Sequence, residues 1–483
     1  MPRRRFVTKV RSIAALMVLL AAMVPYASGA SIRIEVRRLS GATPFPRGCG
    51  VPGEHTPSSE AEPSIAVNPK NPKNVIVSWQ QDRFPVDGGA LTHMVAYSRN
   101  AGRTWRTILD PKLSRCTGGM DERASDPWLS IGPDGVAYLA SLTFSETPLN
   151  PYVAGPTKLV SQTSRDGGAT WTPPVDVQPF DRTYNDREAV TADPTRPGSA
   201  YYVFVKRLGA FGESGPEMFS KTTDGGKTWS IPVPILVPPP LTLTDPTLIT
   251  VLPDGTLLNF VLVANLSPFL PDLVPRVPWV IVSTRSTDAG QTWSLPTVIA
   301  TLMPSAPIDP DGGDIVRAYN LISVDVGPDG TAYVAWNETT SPRSSAIWFA
   351  RSSDGGETWS DPQPVARAPG QSFIASIAVD GRGTVGVMFD DFRRDKAGDR
   401  RLTTDVWFAR STDKGRTWSL RHVAGPFDAL SAPESESSGV AGHFLGDYQS
   451  LDGLPQGFIG AFVMAKPAAA VGPSDIFIAR ISG

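Results

Sequence analysis

Carboxylates, arginines and tyrosines recur in this chain at the ends of short apolar runs. At run starts stand Glu62, Asp126, Asp186, Arg187, Glu188, Asp245, Arg317, Tyr319, Asp447 and Tyr448; at run ends stand Asp82, Arg83, Asp391 and Arg393. Two kinds of chemistry use these residue types together. Paired carboxylates flanking a glycosidic bond perform acid–base catalysis, which makes Asp126, Asp186, Glu188 and Asp391 candidate catalytic groups, with Asp126, Asp186 or Asp391 as the acid. Arginine forks bind anionic groups bidentately. Arg187, Arg317 and Arg393 are the candidate clamp, Arg83 and Asp447 further substrate contacts, and Tyr319 or Tyr448 the group standing opposite. Any one of these residues also fits a plainer role, an ion pair tying neighbouring elements; the cluster as a whole points to a site.

The runs that carry these residues follow one plan. A first apolar run such as Ser64-Ile65-Ala66-Val67 is followed by a turn, often Pro-Asp-Gly as at Pro133-Asp134-Gly135, Pro253-Asp254-Gly255 and Pro328-Asp329-Gly330. Proline presets φ there and glycine accepts a positive φ. A second run, a variable loop and a third run follow, and the third ends in an eight-residue word. The word occurs six times, at 98–105, 164–171, 222–229, 286–293, 352–359 and 411–418, about every 60 residues. A fourth short run leaves each copy. Strand-length runs at fixed spacing with no helical apolar period mark an all-β repeat protein. Four antiparallel strands per unit, repeated radially, make a β-propeller.

First strands are expected near Ser64, Trp128, Ala189, Thr247, Leu321, Ile374 and Tyr448, which makes seven units. The last has three strands of its own near Tyr448–Leu451, Phe458–Val463 and Ile476–Ile481. The alternating segment around Ile32, Ile34 and Val36 supplies a fourth and leaves no open edge. A six-bladed ring with a C-terminal hairpin is the alternative. The expected division is 1–30 as an export signal, 31–61 as the closing strand and its loop, and 62–483 as the propeller. Strand alternation places first-strand starts and second-strand ends on one face, with the words on the other.

The word, Ser/Thr-x-Asp-x-Gly-x-Thr-Trp, resembles the Asp box, or BNR repeat, of the sialidase superfamily; the first copy departs with Asn100 in place of Asp. The resemblance implies a propeller whose boxes lie opposite the active site, so Asp166, Asp224, Asp288, Asp354 and Asp413 are structural. It also implies an exo-sialidase type of glycosidase with an arginine triad, a Tyr nucleophile with a Glu partner, and an Asp acid/base. The Phe/Tyr-Arg-Ile-Pro motif of that family is missing near the first repeat. A glycan- or protein-binding propeller without catalysis and a polysaccharide lyase using His443 and Tyr448 are the rival functions.

The rest of the sequence bounds these readings. A net charge of −2 gives no electrostatic case for nucleic acid or an anionic membrane. Arg3, Arg4, Arg5, Lys9 and Arg11 precede an apolar run from Ile13 to Val24 and small residues at Ala27-Ser28-Gly29-Ala30. That is an export signal, too short for a membrane span, and Arg3-Arg4-Arg5-Phe6-Val7 resembles a twin-arginine signal. The mature chain is expected to begin near Ser31, outside the cytoplasm, as a monomer acting on carbohydrate. The two cysteines, Cys49 and Cys116, then read as one disulfide. Asp309, Asp311 and Asp314 read as an acidic turn, with Ca²⁺ as the alternative. The four histidines lack zinc spacing, and no cofactor is expected.

Overall fold

A computed structural model describes residues 32–51, 53–145, 156–208, 215–240, 242–265, 278–303, 307–311, 321–341, 344–366, 370–437, 440–466 and 471–483. The expected export signal lies outside them, as do Arg317, Tyr319 and Asp314. The described chain is all-β apart from two 3₁₀ turns. Its strands make seven four-stranded antiparallel arrays, two of them joined by one residue pair, Ala90 with Ala124. The first strands are Glu60–Val67, Arg123–Ile131, Tyr184–Ala192, Thr242–Val251, Ile322–Val326, Ser372–Val379 and Ser450–Gly453. In units one to six the chain runs outward through consecutive antiparallel neighbours. In the seventh, the outermost strand is Arg33–Arg38, paired antiparallel with Ser474–Ser482. One element was not expected from the sequence: a small hairpin, Glu434–Ser437 with Val440–His443, between units six and seven.

A first strand pairs on one side only, so its other edge carries backbone groups that need partners. Side chains of the neighbouring first strand supply them. Ser64 Oγ accepts from the Leu129 amide at 2.9 Å, Ser130 Oγ from Ala192 at 2.9 Å, and Ser323 Oγ from Ile377 at 3.0 Å. Asp325 accepts from Val379 at 2.7 Å, and Ser376 Oγ accepts from Leu451 at 2.9 Å. The series then returns to the beginning: Ser450 Oγ accepts from Ile65 at 3.1 Å and Asp452 from Val67 at 2.7 Å. First strands pack against first strands around all seven units, the last against the first.

The eight-residue words hold the opposite ends of the units. In each of the last five copies the Asp carboxylate accepts the hydroxyl and the amide of the Thr four residues on; for Asp288 these are 2.6 Å and 2.9 Å. Asn100 accepts the Thr104 amide and donates to the Thr104 hydroxyl instead, so the departure keeps the turn. The fifth residue, glycine in all six copies, lies against the preceding unit. A Cβ on Gly290 would stand 2.3 Å from the Phe219 ring, and one on Gly102 of unit one would stand 2.5 Å from Ile459 of unit seven. Word tryptophans pack edge-on against aromatic rings of the preceding unit: Trp293 on Phe219, Trp359 on Phe260 and Trp418 on Phe349, at 5.3–5.5 Å.

Gly290→Ala therefore both strains a backbone at φ 81° and drives a methyl into Phe219. It is expected to cost at least about 2 kcal/mol in thermal or urea unfolding. Gly383→Ala, at φ 80° with open space around it, isolates the backbone part at about 1 kcal/mol. Equal losses at the two positions would refute the contact.

Candidate functional site

The site is made where first strands bulge. The register slips between Ala61 and Ser64, Ser125 and Trp128, Asp186 and Ala189, Thr244 and Thr247, and Phe373 and Ser376. Within four of these slips a non-glycine residue takes a left-handed backbone: Glu62 at φ 53°, Asp126 at 56°, Arg187 at 58° and Ile374 at 50°. A bulge breaks the in–out alternation and re-aims a side chain. Such backbones cost roughly 1–3 kcal/mol each, and three of the four carry charged groups of the site.

Those charged groups line one open cleft. Glu62, Arg83, Asp126, Asp186, Arg187 and Asp447 meet there, with Tyr184, Phe144 and Phe444. The Gln80 amide nitrogen donates to Glu62 Oε2, to Ser125 Oγ at 2.8 Å and to Asp126 Oδ1 at 3.4 Å, so one nitrogen bridges two carboxylates. Glu62 Oε1 accepts the Asp447 amide at 3.1 Å. Arg83 pairs with Glu62 at 3.8 Å and stacks 4.0 Å over the Phe444 ring. Arg187 pairs with Asp245 at 2.9 Å and Asp447 at 2.6 Å, with Asp186 at 3.9 Å. Arg207 holds the other oxygen of Asp245 at 3.1 Å. The Tyr184 hydroxyl donates to Asp186 at 2.8 Å.

Below the cleft lies a second cavity of about 180 Å³, lined by first strands of several units. Asp126, Arg187 and Asp447 line both spaces. They form the floor of the cleft and the roof of this inner channel. Glu188 and Tyr448 line the channel alone. The Tyr448 hydroxyl donates to the Pro127 carbonyl at 3.0 Å, and its ring meets Trp128 edge-on at 5.4 Å.

Burial dominates the electrostatics. It pushes Glu62 up to about 8, with Asp126 and Asp447 adding to the rise. Burial, then Asp186, pushes Asp126 up to about 6 against the pull of Arg187. Burial also raises Glu188 and Tyr448 well above their ordinary values.

Asp87, Gly88 and Gly89 line the cleft, and the loops around them are tied to one another. Cys49 and Cys116 form a disulfide with Cα atoms 5.3 Å apart, joining the loop before unit one to the loop between units one and two. Arg123 stacks 3.8 Å over Phe84 and donates to the Val86 and Gly88 carbonyls. The unexpected hairpin docks beside them: the Glu436 amide donates to Pro85 at 2.7 Å, and the Asp87 amide to Glu436 at 2.9 Å.

Other expected site residues lie elsewhere. Asp391 and Arg393 pair with each other in unit six, with Arg393 4.1 Å over Trp407, away from the cleft lining. Arg187 and Arg393 are therefore not brought together; each is held by carboxylates of its own surroundings. His443 Nδ1 contacts the Ala432 carbonyl at 2.9 Å, outside the cleft lining. Asp309 Oδ1 accepts the Asp311 amide within a turn, and Asp311 Oδ1 accepts the amide of Gly398 from a loop of unit six. The sequence reading gave Glu62 no role and passed over Gln80 and Tyr184. A signal for the bulges was present: Glu62-Pro63, Asp126-Pro127 and Asp245-Pro246 are acid–proline pairs at equivalent places in three units.

The chain matches no protein-family model and no curated protein. Solved structures similar to it include a protein of unknown function from Dyadobacter fermentans, 14% identical over 92% of this chain and 99% of that one, TM-score 0.47. A polysaccharide lyase of family PL25, an ulvan lyase, is 10% identical over 87% and 94%, TM-score 0.49. A Trypanosoma rangeli sialidase with sialic acid is 14% identical over 94% of this chain and 59% of that one, TM-score 0.43. Likeness at this level assigns no activity to this chain.

The buried acids predict how stability follows pH. Glu62, Glu217 and Asp452 are raised to about 8, 8 and 7, and Asp126 and Asp325 to about 6. Unfolded carboxylates titrate near 4. From about pH 4 to about 8 the folded chain thus holds more protons than the unfolded one, and stability falls as pH rises. The word aspartates Asp224, Asp354 and Asp413 are lowered to about 2. Their contribution is complete above about pH 4 and is lost as pH falls towards 2. The melting temperature is expected to be higher near pH 5.5 than near pH 8.5. A rise across that interval would contradict the assignment.

Proposed function

We propose that this protein is an exported glycoside hydrolase on a closed seven-bladed propeller of the Asp-box type, acting on a terminal sugar in the cleft of Glu62 and Asp126. The seven arrays, the first-strand contacts that return from the last unit to the first, and the pairing of Arg33–Arg38 support the architecture. The signal-like start and the disulfide support export.

One observation carries the chemistry: two carboxylates, bridged by a single amide nitrogen, in one cleft. Both are raised towards neutrality, Glu62 to about 8 and Asp126 to about 6, so near pH 7 the pair holds one proton. Glu62 then serves as the acid that protonates the leaving oxygen. Asp126 serves as the carboxylate facing the anomeric carbon, the part of the second carboxylate in glycosidic acid–base chemistry. This gives Asp126 the partner role and moves the acid to Glu62. The floor of Asp126, Arg187 and Asp447 closes the cleft from below, which favours binding a chain end.

The arginines favour an uncharged sugar. Arg187 is already bound by Asp245 and Asp447, and Arg83 and Arg123 each stack on a ring while donating to protein acceptors. A substrate carboxylate would have to displace these partners.

The test is a panel of nitrophenyl α- and β-glycosides beside a fluorogenic sialoside. Turnover of a neutral glycoside is expected, with kcat/KM greatest between about pH 6 and 8, the window in which Asp126 is ionised and Glu62 protonated. Glu62→Gln and Asp126→Asn are each expected to lower kcat by about 10²–10⁴-fold with the fold retained. Glycan binding without turnover of any substrate would make this a binding propeller. Absorbance from an unsaturated uronide would make it a lyase.

A further inference from the structure

The inner channel contains a carboxyl group that the hydrolase reading leaves unused. Among its described lining residues the ionisable acids are Asp126, Glu188, Asp325, Asp447 and Asp452, against one cation, Arg187. Four of the five acids have partners. Asp126 accepts from Ser125 and Gln80, and Asp447 pairs with Arg187. Asp325 accepts from the Val326 and Val379 amides, and Asp452 from Val67 and Gly453. Glu188 stands apart: it is 3% exposed, and its own backbone amide aside, neither carboxylate oxygen has a hydrogen-bond partner. Ionising such a buried group is costly without a counter-charge, and the acids around it add to that cost, which holds it towards its protonated form until a cation is present. The space it faces, about 180 Å³, holds several waters at about 30 Å³ each.

We infer that the channel is a binding site for a hydrated hard cation anchored by the Glu188 carboxylate. Oxygen donors select hard ions. Among the described residues no group of three His, Cys, Asp or Glu side chains is placed to cage a metal, so channel water completes the coordination shell. The ion favours the ionised form of Glu188 by supplying its counter-charge, and it lies on the far side of the Arg187 partition from the cleft. It therefore acts on stability whether or not the cleft is catalytic.

The experiment is thermal unfolding of the full chain titrated with NaCl or CaCl2, with choline chloride at matched ionic strength as the reference. A saturable rise in melting temperature of roughly 3 °C or more over choline is expected with at least one of the two salts. Glu188→Gln keeps the shape and removes the charge. It is expected to fold, to melt no lower than the parent in choline, and to lose the salt-specific rise. A sodium response marks a monovalent site and a calcium response a divalent one; either supports the inference. No rise over choline in the parent, or an undiminished rise in Glu188→Gln, overturns it.

Discussion

The open edge of each first strand is the constraint on which the rest depends. A four-stranded sheet has two edges, and the inner ones here face each other across the middle of the molecule, where unpaired amides are costly. The chain satisfies them with short side chains, serine and aspartate, reaching from one first strand to the backbone of the next. Ser450 and Asp452 do this for the amides of Ile65 and Val67. The bonds are ordinary individually. Their succession around the units makes the sheets one body, and it keeps the first strands at a common depth, so that residues at their starts come together. The bulges act on that alignment: Glu62, Asp126 and Arg187 take left-handed backbones within them and line one cleft.

The two faces of the molecule treat carboxylates in opposite ways. At the words, aspartates sit exposed among amide and hydroxyl donors, which hold them ionised; Asp354 is lowered to about 2. At the cleft, acids are buried beside other acids, and Glu62 is raised to about 8. The same residue type is held ionised on one side and towards its protonated form on the other because of solvent access and donor count. Arg187 lies between these extremes. Its guanidinium binds acids from two other units, so it organises the cleft floor instead of reaching into the cleft.

Much of this was readable in the sequence. The words gave the unit length, the turn signals gave the strand order, and the alternation of Ile32, Ile34 and Val36 marked a strand that pairs at the far end of the chain. Asp126, Asp186, Arg187 and Asp447 were legible as a group because strand alternation places first-strand starts on one face. Alternation also misled. It treats every strand start as equivalent and so ranked Asp391 and Arg393 with the others, whereas that pair closes on itself beside Trp407. It could not single out Glu62, because a bulge changes direction without changing residue type. The Gln80 bridge and the lone Glu188 depend on side-chain approach across units, which no local pattern encodes. The small hairpin was missed because its four-residue strands, Glu-Ser-Glu-Ser and Val-Ala-Gly-His, are too short to show an apolar period.

The strand Arg33–Arg38 has a consequence for the order of assembly. Its partner arrives 445 residues later, where Glu35 meets Arg480. Six units can fold as they emerge, each on the one before, but this strand must wait with its apolar side chains uncovered until the seventh is made. During that interval Ile34 and Val36 form an unpaired edge available to any other strand in reach. A protein built this way is closed as a latch is: the strand Arg33–Arg38 has its pairing edge covered only once Ser474–Ser482 is in place.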